Sequence, residues 1–256
     1  MTLLEAVILG IIQGLTEFLP ISSSGHLVLA QYFMNIHERG FLLEVILHMG
    51  TLVAILIYYW NDLRNLGKDA INGVIESRIY VCYLGVATVP TVCVGFLLDE
   101  FIKSTFEPNV VIAMLIITAL VLATTYFSSN CAVQQFNLSI SFCIGLAQAC
   151  ALMPGISRSG ITISIALLMG IRHHEAAKFS FLLAIPALLG AGILQMIKID
   201  NSLQIPVFPL IMCFFSAAVA GYLVINWLLS VISQGRFYLF SLYCFSIAII
   251  AHLLIN

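Results

Sequence analysis

Five ionisable side chains stand inside apolar stretches of this sequence: Glu17, His26, Glu44, His48 and Arg158. If those stretches cross a bilayer, each such group costs at least about 2.5–3.5 kcal/mol, so its presence points to a use. Arg158 lies in Pro154-Gly155-Ile156-Ser157-Arg158-Ser159-Gly160, just before an apolar helical stretch over 161–171. That is the pattern of a helix start, with serines available as caps. Unpaired backbone N–H groups, the positive end of the helix dipole and a guanidinium then converge, a combination suited to phosphate. Ser157, Ser159, Gly160 and Thr162 are candidate contacts there. Ser22-Ser23-Ser24-Gly25 offers a second helix start, and two such starts facing each other could hold a diphosphate. The competing reading is that Arg158 pairs with Glu17 as buried glue, which needs neither the glycines nor the hydroxyls.

Glu17 and His26 bracket the first break. Near an anion site they suit a metal ligand, a general base or a general acid. A lone intramembrane carboxylate would also suit a proton relay. Gln13 stands four residues before Glu17, so both face one direction on a helix and Gln13 could orient Glu17 or help hold a cation. Glu44 and His48 share the same spacing. They could chelate a metal or support the broken tip, but a buried pair satisfying each other is the plainer reading. His173 and His174 are expected in a solvated loop. The aromatics, Trp60 and Trp227 among them, need no more than span-end and packing roles.

These residues must be positioned by a membrane protein. Of 256 residues, 61% are apolar and only 9% charged, against about 25% charged in a soluble domain. Mean hydropathy is +1.09. The balance excludes a soluble enzyme and a disordered chain. With 10 Lys+Arg against 12 Asp+Glu there is no basic stripe, so no nucleic-acid partner is expected. Seven cysteines, mostly within apolar runs and without a CxxC pair, read as small buried hydrophobes. The N-terminus lacks a basic n-region, the first Lys or Arg being Arg39, so it does not read as a cleavable signal.

Six runs are long enough to span: 41–60, 79–98, 109–127, 179–197, 207–232 and 237–255. Two more, 3–36 and 139–171, are interrupted at 19–26 and 153–160. Their short arms predict re-entrant helix–loop–helix hairpins, whose irregular backbone must be buried in protein or line a wet cavity. The hairpins look like copies: Gln13 falls on Gln148, and Ile21-Ser22-Ser23-Ser24-Gly25 on Ile156-Ser157-Arg158-Ser159-Gly160. Further on, Phe41-Leu42-Leu43 falls on Phe181-Leu182-Leu183, and Gly50 on Gly190. The expected architecture is therefore an all-α polytopic membrane protein, one domain over 1–256. It has six full spans and two hairpins in two repeats, about 1–130 and 138–256. Three spans per repeat is odd, which inverts the second copy and places a polar site at the repeat interface. Arg64, Lys68 and Arg78 put the 61–78 loop inside. Alternation then gives six basic residues inside (64, 68, 78, 172, 178, 236) and three outside (39, 103, 198).

The segment Gln13-Gly14-Leu15-Thr16-Glu17-Phe18-Leu19-Pro20-Ile21-Ser22-Ser23-Ser24-Gly25-His26 resembles the first signature of the bacterial undecaprenyl-diphosphate phosphatases, the bacitracin-resistance family. Pro154 to Gly160 resembles the second, and Phe179-Ser180-Phe181-Leu182-Leu183-Ala184-Ile185-Pro186 also looks like family sequence. The similarity extends over essentially the whole chain. It implies a multi-pass hydrolase of the bacterial cytoplasmic (inner) membrane. Such an enzyme removes the terminal phosphate of a C55 isoprenoid diphosphate, regenerating the carrier for peptidoglycan and other envelope polymers. Bacitracin competes for that lipid, so abundant enzyme confers resistance. The family's (Glu/Gln)-x-x-x-Glu element matches Gln13 and Glu17, its functional Ser and His match Ser23 and His26, and its Arg matches Arg158. A divalent metal, Mg²⁺ or Ca²⁺, is the implied cofactor, held by Glu17 and Gln13. The fold implied, inverted repeats with re-entrant hairpins, agrees with the reading above. Position 48 is His where the family is expected to carry Gln.

On this reading Arg158 and the helix starts bind the phosphates, with Ser22, Ser24, Gly25 and their counterparts around Arg158 in contact and the site open to the outer face. The nucleophile is Ser23, His26 or water, and Ser23 with His26 as one unit is preferred, because three residues at a helix start can share a side. Glu44 and His48 support from behind. A transporter or flippase of an anionic isoprenoid lipid is the alternative, and a homodimer is left open.

Overall fold

The computed structural model describes residues 1–36, 41–130, 134–197 and 206–255; Arg39 and Lys198 of the charge count, and Cys131, lie outside them. The described residues form twelve α-helices. The first break separates α1 (Leu3–Phe18) from α2 (Ser23–Phe33). There follow α3 (Phe41–Tyr58), α4 (Trp60–Ile71), α5 (Ile75–Leu97), α6 (Asp99–Ser104) and α7 (Pro108–Thr124). The second break separates α8 (Leu138–Cys150) from α9 (Arg158–Leu168). The chain then runs through α10 (His173–Ile197), α11 (Val207–Ser233) and α12 (Phe240–Ile255).

Helices α5, α7, α10, α11 and α12 are each long and apolar enough, with their flanking turns, to cross a membrane, and α3 joined to α4 makes a sixth. Five of the six expected spans are matched by these helices, and the sixth, 41–60, falls on α3, which reaches a span's length only together with α4. The face of α11 that carries Phe208, Ile211, Phe215, Val219, Leu223 and Trp227 is exposed from end to end. An apolar stripe of that length suits lipid and not water. The protein is an all-α multi-pass membrane protein.

Two expectations about loops are corrected. The segment expected as a 61–78 loop is largely helical: α4 leaves α3 at a bend of 71°. Its polar residues fall on one face, Asp62 lies in its first turn and Lys68 in its last, both complementing the helix dipole. The Lys178 ammonium donates to Asp62 and ties α4 to α10. His173 and His174 open α10 and are not in a loop. There Arg172 and Glu175 pair across 2.5 Å at the helix start.

The broken stretches form helix–loop–helix pairs. Their arms hold 16 and 11 residues, then 13 and 11. At 1.5 Å rise these reach about 16–24 Å, short of a ~30 Å hydrocarbon core. Each pair is held by its first arm, α1 against α11 and α3, and α8 against α5. Glycines permit the approach. A Cβ on Gly10 would lie 2.7 Å from the Cys213 carbonyl oxygen, and one on Gly145 would lie 2.5 Å from that of Ala87. These two glycines hold the same place in the two hairpins. Gly50 and Gly190, paired by sequence, differ: a Cβ at Gly50 would meet the Phe214 carbonyl oxygen at 2.4 Å, and at Gly190 nothing within 4 Å.

The close approach predicts a contrast. Gly145→Ala should cost about 1–3 kcal/mol of stability, because backbone must shift. Gly190→Ala should be neutral or gain up to about 1 kcal/mol from lower chain entropy in the unfolded state. Thermal unfolding of the two variants in detergent checks this, and equal midpoints would contradict the packing.

Candidate active site

The two breaks meet in the interior of the protein. Ser22 caps α2 and Ser157 caps α9: the Ser22 hydroxyl accepts the Gly25 N–H at 3.2 Å, and the Ser157 hydroxyl accepts that of Gly160 at 3.1 Å. Helices therefore begin at Ser23 and Arg158, three residues earlier than the apolar runs suggest. Ser22 has φ of 67°, left-handed backbone that a serine adopts only under constraint. The tips interlock. Ser159 donates to the Leu19 carbonyl at 3.0 Å, and a Cβ on Gly25 would lie 3.1 Å from Gly155 Cα. Thr118 of α7 straps the second tip, donating to the Gly155 carbonyl at 2.8 Å and accepting the Ser157 N–H at 3.1 Å.

Glu17 sits between the tips with both oxygens engaged. Arg158 Nη2 donates to Oε1 at 2.5 Å. Oε2 receives Ser23 Oγ at 2.6 Å and Gln13 Nε2 at 3.0 Å, and His48 Nε2 stands 3.6 Å away. The pair weighed as buried glue does form, and both side chains are largely buried (Glu17 5% and Arg158 15% exposed). It coexists with the glycines and hydroxyls. Arg158 Nη1 donates to the Ser180 carbonyl at 3.4 Å, and Nε carries no hydrogen bond among the described contacts.

Ser23 and His26 do not bond each other. Ser23 is turned to Glu17. The His26 ring donates from Nδ1 to the Ser22 carbonyl at 2.8 Å, and its Nε2 accepts the Tyr243 hydroxyl at 3.0 Å. Nor do Glu44 and His48 form a closed side-chain pair. His48 Nδ1 donates to the Glu44 backbone carbonyl at 2.7 Å, which leaves Nε2 facing Glu17 and places His48 in the cluster itself. Ser22, Ser157, Ser159 and Thr162 are buried, with their hydroxyls bonded inside the protein. Ser23 and Ser24 are the half-buried hydroxyls of the first tip. Gly25 and Gly160 give room where the tips touch.

Two partners escaped the sequence reading. Tyr243, on α12, bonds His26 and stacks on its ring at 5.7 Å and 12°, so it is more than a span-end aromatic. Ser180 holds the Arg158 guanidinium through its carbonyl and meets Thr162 through its hydroxyl at 2.7 Å. The only hint of Ser180 was its place in the 179–186 run, and nothing local marks Tyr243. Beside His26 and Tyr243 a groove of about 380 Å³ runs between α1, α2 and α12, lined otherwise by apolar residues such as Leu15, Leu29, Phe33 and Ile250, with Thr16.

The family described as bacitracin resistance protein BacA matches residues 6–250. A relative from Desulforudis audaxviator named undecaprenyl-diphosphatase is 40% identical over 244 residues, 93% of this chain and 92% of its own. One of the same name from Geotalea daltonii is 39% identical over 268 residues, 100% and 99% of the two chains. Another, from Methanobrevibacter smithii, is 36% identical, covering 98% and 96%. The motifs at both hairpin tips fall inside the matched region, and the chain belongs to the bacitracin resistance protein BacA family.

Proposed function

We infer that the protein hydrolyses undecaprenyl diphosphate to undecaprenyl phosphate and inorganic phosphate, recycling the lipid carrier for envelope polymers and conferring bacitracin resistance. The relatives carry that name. The observation in the fold that carries it is Ser23 held at 2.6 Å on Glu17 Oε2 beside Arg158, where two helix starts meet. A transporter or flippase needs the arginine and the helix ends, but gives no reason for a hydroxyl on a buried carboxylate. We place the site in the inner membrane, opening to its outer face. The halves, about 1–130 and 138–256, are read as inverted repeats of one membrane domain. The matched caps Ser22 and Ser157, the matched Gly10 and Gly145, and the packing of α1 on α11 as α8 packs on α5 support this.

In this reading the first isoprene units lie in the groove along α1, α2 and α12, and the diphosphate reaches the tips past His26. Arg158 Nε and the helix-start N–H groups bind the terminal phosphate and offset the charge that grows in the transition state. Glu17 Oε2 takes the Ser23 proton as Oγ attacks the terminal phosphorus. The bond to the bridging oxygen breaks, and undecaprenyl phosphate leaves. Water then cleaves the phosphoserine, giving its proton to His26 Nε2, while Glu17 returns the first proton to the departing Ser23 Oγ and inorganic phosphate is released. The residues also suit a hard cation: Gln13 Oε1 is buried without a hydrogen-bond partner beside the Glu17 carboxylate. Glu17 and Gln13 would hold Mg²⁺ or Ca²⁺, which would supply charge neutralisation at the phosphate oxygens.

Purified protein should release inorganic phosphate from an isoprenyl diphosphate in the presence of Mg²⁺ or Ca²⁺, and EDTA should stop it. Folded protein that releases none with either metal would sink the hydrolase reading, and lipid flipping in liposomes would be measured next. Glu17→Gln should lower kcat by about 10²–10⁴-fold, the usual share of acid–base catalysis, and Ser23→Ala, which removes the attacking oxygen, by at least as much. Near-normal turnover in either removes that residue from the chemistry. Arg158→Met should cost about 3–5 kcal/mol of stability, because Glu17 is left as an uncompensated buried charge. Adding Glu17→Gln should recover most of that stability without recovering turnover. Unfolding midpoints and phosphate release, read side by side, separate the two effects.

A further inference from the structure

We propose that Tyr243 binds the phosphate nearer the isoprenoid tail, its hydroxyl turning from His26 to that phosphate when the lipid fills the groove. The proposal rests on the reading above for the identity of the lipid. That reading gives the terminal phosphate its partners at the two tips and leaves the tail-side phosphate with none. A tail lying along α1, α2 and α12 brings the tail-side phosphate to the polar end of the groove. Among the described residues that line the groove, Thr16, His26 and Tyr243 carry the polar side chains.

Two of the three have no proton to offer an anion. The Thr16 hydroxyl donates to the Ile12 carbonyl at 2.6 Å. His26 Nδ1 lies 2.8 Å from the Ser22 carbonyl, which only accepts, so Nδ1 carries the proton of a neutral ring and Nε2 is an acceptor. The Tyr243 hydroxyl, 3.0 Å from Nε2, is therefore a donor. Its side chain is 42% exposed and lies nearly parallel to the imidazole, so the hydroxyl can turn while the rings stay stacked. An O–H bond to an ionised phosphate oxygen is roughly twice as strong as one to a neutral acceptor, so an arriving phosphate draws it from Nε2. Tyr243, Ile247 and Ile250 follow at i, i+4 and i+7 on α12, so one helix face both packs the tail and meets the phosphate. The tail-side phosphate gains charge as the bridging bond breaks, and a donor there offsets it. As long as that phosphate holds the hydroxyl, His26 Nε2 is uncovered for water.

The test measures binding of farnesyl phosphate, farnesol and inorganic phosphate to the full-length protein in detergent by calorimetry, for wild type and Tyr243→Phe. Farnesyl phosphate carries the tail-side phosphate and no anhydride bond, so its binding is read without turnover. The variant keeps the ring on His26 and loses the hydroxyl alone. It should bind farnesyl phosphate at least about tenfold more weakly, the cost of one hydrogen bond to a charged group, and bind farnesol and inorganic phosphate as wild type does. Unchanged farnesyl phosphate binding with a lowered kcat would show that Tyr243 only holds the His26 ring, and overturns the proposal. An equal loss for farnesol and farnesyl phosphate would assign the effect to tail packing, and overturns it too. Tyr243-dependent binding of farnesyl phosphate in a protein that releases no phosphate from a diphosphate upholds this site and sinks the hydrolase reading alone.

Discussion

A carboxylate and a guanidinium can be buried together only if each satisfies the other and every remaining lone pair and proton finds a partner. Glu17 meets that condition at both oxygens with help from four helices, while Arg158 is paired at Nη1 and Nη2 and keeps Nε for a ligand. Gln13 and Glu17 come from α1, Ser23 from α2, His48 from α3 and the Ser180 carbonyl from α10. The constraint explains why both hairpins break where they do. A continuous helix through 19–22 or 151–157 could not bring two helix starts to one charged pair. The remaining backbone groups of the tips are served locally, by caps from Ser22 and Ser157 and by the Thr118 strap.

The rest of the packing holds the short arms at this depth. In lipid, helices gain little from apolar contact alone, and close backbone approach through small residues takes over. Gly10, Gly14 and Gly145 serve that purpose, with α1 pressed on α11 and α8 on α5. The long helices α11 and α5 turn their other faces outward, where lipid covers them.

Much of this was legible along the chain, because breaks, caps and misplaced charges are local signals. The spans follow from long apolar runs, and the two hairpins and the candidates Glu17, Ser23 and Arg158 follow from patterns a few residues long. Pairing was not legible. Ser23 and His26 are neighbours by spacing, yet Ser23 turns to a carboxylate on the preceding helix while His26 turns to a tyrosine 217 positions away. His48 read most plainly as a partner of Glu44, with support of the broken tip as the second reading, because nothing between residues 17 and 48 signals that α3 lies against α1. The helical segment 60–71 was hidden for another reason: its charge resembles that of a solvated loop, and amphipathicity distinguishes it only once the bend at Tyr59 is known.

The groove beside His26 is flanked by α1, α2 and α12, is mostly apolar, and includes Leu15, Phe33 and Ile250, which are themselves exposed on the surface of the bundle. A ligand arriving that way never leaves the two-dimensional phase in which it is dissolved. Encounter is then governed by lateral diffusion and by the mole fraction of the lipid in the sheet, not by its concentration in the aqueous volume. Diluting a vesicle suspension with buffer would leave such an encounter rate unchanged, whereas diluting the same vesicles with inert phospholipid would lower it in proportion.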